Sequence, residues 1–71
     1  MTMREKIDVW FVYHQPVGDQ AARYVAIREA AHALALVIAA NTPESADQTA
    51  ALRKLREAVM TANASIACNG V

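Results

Sequence analysis

The chain has 71 residues, 55% of them hydrophobic, with seven basic and seven acidic side chains that cancel and a single cysteine, Cys68. These features exclude a second domain, a disulfide framework and the whole-molecule positive field of a generic DNA or membrane-surface binder. A chain this short buries only about 60% of the surface its unfolded form exposes, so extra burial through a homo-oligomer is expected.

Residues 1–16 form a short arm or helix. Val9 to Tyr13 concentrates three of the four aromatic residues, and its β-branched and aromatic makeup suits an extended segment, while MREKIDVWF also reads as one or two amphipathic helical turns. Either way the aromatics must dock on something. Pro16 disfavours a helical Gln15 and ends the arm. Arg4 and Lys6 are followed by Glu5 and Asp8 instead of by the apolar core of a secretory signal, which together with the lone cysteine leads us to expect an intracellular protein.

A helix is predicted from about residue 18 to 41, with Asp19 supplying a carboxylate to its first turn. Tyr24, Ile27, Ala31, Leu34 and Ile38 recur at steps of three and four, the spacing of a buried stripe. From Ala30 to Ala40 the helix is apolar on nearly every face, His32 excepted, and so needs more than one packing partner. The run ALALVIAA after His32 is too short to span a bilayer.

Asn41, Thr42 and Pro43 mark a break, with Thr42 suited to cap a second helix at about residues 43–68, Pro43 to its first position and Glu44 to its favourable end. Leu52, Leu55, Val59, Ala62 and Ile66 form the matching stripe, and Asn69 with Gly70 makes a C-terminal stop. A connection this tight makes antiparallel neighbours. The expected fold is therefore a single all-α domain over residues 1–71, an antiparallel helical hairpin with a short N-terminal arm.

Five residues could carry binding chemistry. Tyr13, in the arm just before the first long helix, could stack on a nucleobase or simply pack on the hairpin with its hydroxyl wet. Arg28 lies off the stripe, where its guanidinium fork suits a phosphate, a solvated surface or an ion pair. Arg56, Thr61 and Asn63, with Ser65, stand among alanines. Arg56 and Asn63 share a face one heptad apart, whereas Thr61 and Ser65 form an i, i+4 pair. A small phosphate-bearing ligand could bridge them, or they could let two helices approach closely. His14, His32 and Cys68 have no zinc-type spacing, so no metal or cofactor is expected, and His32 reads as a core or interface histidine. No paired carboxylates sit in an apolar setting, so enzyme activity is not expected.

The succession YHQP, RYVAIREAAHALALVI, NTPES and ALRKLREAVMTANASIA followed by CN resembles the small phage anti-CBASS proteins that act as cyclic-oligonucleotide sponges. The likeness runs from Tyr13 to Asn69, and LREAVMTANASIA is its most specific part. It implies a homo-oligomer, a hexamer in that family, that sequesters second messengers of a bacterial antiphage system in the host cytoplasm without cleaving them. It further implies a cyclic-dinucleotide pocket between protomers with Tyr13 on a base and Arg28 on phosphates. A separate cyclic-trinucleotide site is implied at Arg56 and Thr61, with Asn63 adjacent. The rival expectation is a structural hairpin module that docks a protein helix. Neither DNA nor a membrane is an expected partner.

Overall fold

The computed structural model describes residues 1–71 and contains three helices and no strand: α1 (Met3–Trp10), α2 (Gln20–Asn41) and α3 (Ala46–Ala67). The arm thus opens as a helix. Thr2 and Glu5 explain why: the Thr2 Oγ1 accepts the Glu5 backbone N–H at 3.2 Å, and the Glu5 carboxylate accepts the Thr2 backbone N–H at 3.2 Å, a reciprocal capping box. After Trp10 the chain is irregular until Gln20, and His14 Nε2 lies 2.7 Å from the Val9 carbonyl oxygen.

Helices α2 and α3 are 22 residues each and pack against one another as the hairpin. All five stripe residues of α3 are shielded, with Ile66 the most buried at 9% exposure. On α2 the seam is Tyr24, Ile27, Ala31, Ala35 and Ile38, so the expected Leu34 is replaced by Ala35, and Leu34 stays 48% exposed. Position 35 lies four residues from Ala31 and three from Ile38, so the seam still advances by threes and fours, though no longer alternately, and the bulkier Leu34 is turned off it.

The two ends of the hairpin are each tied by a glutamine. At the open end Gln20, 5% exposed, donates through Nε2 to the Ile66 carbonyl at 3.0 Å, and its Oε1 accepts the Val17 N–H at 3.0 Å. At the loop end Gln48 donates through Nε2 to the carbonyls of Ala39 at 3.3 Å and Thr42 at 3.1 Å. The Ala39 carbonyl belongs to the last turn of α2 and the Thr42 carbonyl to the residue that caps it, where no helical N–H is left for them.

The loop differs from expectation. Thr42 does not cap α3; it closes α2, donating through Oγ1 to the Ile38 carbonyl at 2.7 Å. Ser45 is the N-cap instead, its Oγ accepting the Gln48 N–H at 3.1 Å, so α3 begins at Ala46. Ser45 and Gln48 have the spacing of a capping box, but the glutamine side chain is drawn to α2. Asp19 likewise makes no cap hydrogen bond to the start of α2 and instead pairs with Arg23 at 3.3 Å on the surface. At the other end of α3, Asn69 at φ 51° sits in the left-handed region, with Asn69 N–H to Ile66 at 3.2 Å and Gly70 N–H to Ser65 at 2.9 Å. That pair of bonds is a Schellman stop.

The protomer is under-buried. Only Gln20 and Ile66 are buried, and the exposed surface of 5560 Å² exceeds the value of about 4,300 Å² that scaling gives for a folded monomer of its mass. Its radius of gyration of 15.3 Å likewise exceeds the figure of about 11 Å for a compact chain of its length. By length and a mean hydropathy of 1.2, α2 could cross a membrane. Yet Arg28, Glu29 and His32 interrupt it, and the uninterrupted run 33–40 rises only about 12 Å against a hydrocarbon core of about 30 Å.

Candidate ligand groove

Seen along the seam, the hairpin has two different faces. On one, Arg28, His32 and Ala35 of α2 face Leu52, Arg56 and Met60 of α3 across a groove of about 430 Å³. The spacing builds it: Arg28, Ala31, His32 and Ala35 occupy i, i+3, i+4 and i+7, and Leu52, Leu55, Arg56 and Val59 repeat that pattern on the antiparallel partner. Alanines on α2 keep the floor low, and the leucines and valine of α3 make it apolar.

The other face holds a groove of about 350 Å³ lined only by apolar residues, with Ile27, Ala30 and Leu34 opposite Ala58 and Ala62. The two grooves share Ala31, Leu55 and Val59, the seam that separates them.

Arg28 and Arg56 therefore line one groove in the protomer, although their sequence-based roles lie in two different sites. Neither makes a hydrogen bond or ion pair, in contrast to Arg4 and Arg23, which pair with Asp8 and Asp19 at 3.3 Å each. Arg56 also borders a shallow polar depression of about 310 Å³ with Arg53 and Glu57. Thr61 is elsewhere. It lines a small cleft of about 240 Å³ with Ser65 and Cys68, over which Trp10 of α1 sits.

Asn63 is partly buried and borders none of these grooves; its Oδ1 is shielded from solvent without a hydrogen-bond partner. An orphan acceptor of that kind costs about 1–3 kcal/mol. Tyr13 is 86% exposed and Phe11 82% exposed, so the arm presents its aromatics to solvent. Sequence reasoning missed His32 and Met60 as groove residues. The signal was present for His32, which stands four residues after Arg28 and so on the same side of α2.

A short helical hairpin with one arginine-bearing groove, one apolar groove and an aromatic arm defines a small binding protein of hairpin type. The family described as Acb2/Tad1, hairpin domain, matches residues 3–67, and the chain belongs to that family, the anti-CBASS sponges. That family is a nucleotide-sponge hairpin domain and not a family of known enzymes. No curated protein and no solved structure matches the chain.

Proposed function

We propose that the protein sequesters cyclic dinucleotides intact in the host bacterial cytoplasm, with cyclic trinucleotides as a second ligand class, and thereby blocks antiphage signalling. The observation that carries this is the convergence of Arg28 and Arg56, both without protein partners, on one apolar-floored groove of about 430 Å³. Pockets for small molecules measure roughly 300–1,000 Å³ and combine apolar walls with a few polar groups. A cyclic dinucleotide offers two phosphodiesters and two flat bases. Two guanidiniums match the phosphates, and the apolar floor and an aromatic arm match the bases.

Tyr13 supports a shared pocket. Its ring has no place in its own protomer's grooves, so its stacking role is assigned to a pocket formed with a second protomer. Thr61 and Asn63 are assigned to the trinucleotide site, and Arg56, which lines the Arg28 groove and not the Thr61 cleft within one protomer, serves that site as well from across an interface.

Self-association is part of the proposal, with a hexamer as the family's state. The excess exposed area of about 1,200 Å² exceeds the roughly 800 Å² per partner of a standard interface. Depleting a messenger at nanomolar levels needs binding of about −12 kcal/mol, beyond what one Tyr and one Arg supply, and repeated contacts from several protomers provide the remainder.

Calorimetric titration of wild type and Arg28→Ala with a cyclic dinucleotide tests the assignment. Binding in wild type and at least tenfold weaker binding in the variant are expected, and equal affinity in the two would remove Arg28 from the site.

A further inference from the structure

Resting on the proposed function, the geometry points to His32 as a third anion-contacting residue of the Arg28–Arg56 groove, one that makes ligand binding tighten as the pH falls. His32 follows Arg28 by one turn of α2 and borders the groove with it, and Arg56 borders the same groove from α3. Its side chain makes no hydrogen bond and no ion pair, unlike the other histidine, His14, which is held 2.7 Å from the Val9 carbonyl. Of the nine residues that line the groove, Arg28, His32 and Arg56 are the three with polar heads, and all three are donors; no carboxylate is among them.

Histidine is the side chain whose charge changes between about pH 8 and pH 5. A phosphodiester bound among these three donors favours the protonated imidazole. Binding and protonation are therefore linked, and each strengthens the other. The charged groups nearest His32 are Arg28 and Glu29 about one turn before it on α2 and Arg56 across the groove on α3.

The test is calorimetric titration of the full-length protein with a cyclic dinucleotide at pH 8 and at pH 5.5, in wild type and in His32→Gln. Glutamine keeps a hydrogen-bond donor without the charge, and circular dichroism checks that the helices persist. Wild type is expected to bind about three to ten times tighter at pH 5.5 than at pH 8, a range set by a charge-assisted contact at a solvent-facing rim. His32→Gln is expected to bind more weakly than wild type at pH 5.5 and to lose most of that pH dependence. The same pH dependence in both proteins overturns the assignment of His32 while leaving the sponge intact. No binding by wild type at either pH overturns the sponge, and His32's role with it.

Discussion

Gln20 and Ile66, 46 positions apart, meet in a buried hydrogen bond of 3.0 Å that fastens the first turn of α2 to the last turn of α3. It closes the open end of the hairpin, where the chain arrives from the aromatic arm. The same side chain accepts the Val17 N–H, so the arm's exit and the hairpin's closure depend on one residue.

Gln20→Ala should destabilise the folded protein by about 0.5–1.5 kcal/mol, because it removes the buried bond to the Ile66 carbonyl, which keeps only the Asn69 N–H, and leaves the Val17 N–H without its side-chain partner. Gln48→Ala should cost less, since its contacts are exposed to water. Urea unfolding at fixed protein concentration ranks the two, and a larger loss for Gln48 would contradict the picture of a hairpin held mainly at its open end.

Leu34→Glu should break self-association. Leu34 stands on the all-apolar face, nearly half exposed in the protomer, and a carboxylate buried there would meet no partner. Sedimentation velocity should show wild type as an oligomer and the variant near the 7.7 kDa of a single chain. An unchanged oligomer would move the interface to another face.

Tyr13→Ala should weaken cyclic-dinucleotide binding by about 1–3 kcal/mol, the worth of one aromatic stack, with no loss of helix content. Its exposure in the protomer means that truncation removes no internal packing. Competition binding measured beside circular dichroism separates the two effects, and an unaltered affinity would take Tyr13 out of the pocket.

Acidification should loosen α1 before the hairpin. The Thr2 backbone N–H and, secondarily, the Thr2 hydroxyl hold the Glu5 carboxyl below its ordinary value of 4.5. A carboxylate with a lowered pKa adds stability that is present above its unfolded value and lost as the pH falls through the folded one. Amide exchange of the α1 N–H groups should therefore speed up on acidification below the ordinary glutamate value, relative to the intrinsic rate, and Glu5→Gln should remove most of that dependence.

The hairpin was legible from its two apolar stripes. The α3 stripe holds at every position because its members are apolar and alternate with charged or polar residues on the other faces of the helix. On α2 Ala35 displaces Leu34, and period alone could not decide between them where almost every residue is apolar. Thr42 and Ser45 are both capable caps, and the choice fell to Ser45 once Thr42 bonded back to Ile38 and Gln48 crossed to α2. The meeting of Arg28 with Arg56 depends on the register of one helix against the other, which is a tertiary quantity with no local signal. Arg56 and Thr61, by contrast, are five residues apart and so about 140° apart around one helix, and they line different clefts as the helical period alone requires.

The central claim is sequestration without chemistry, and recovery of the ligand tests it most directly. The protein is incubated with a cyclic dinucleotide, freed of unbound ligand by gel filtration, heat-denatured, and the released nucleotide is chromatographed against its cyclic and linear standards. The account predicts that ligand co-elutes with the protein and is released cyclic and unaltered. Linear product, or no nucleotide carried with the protein, would contradict it.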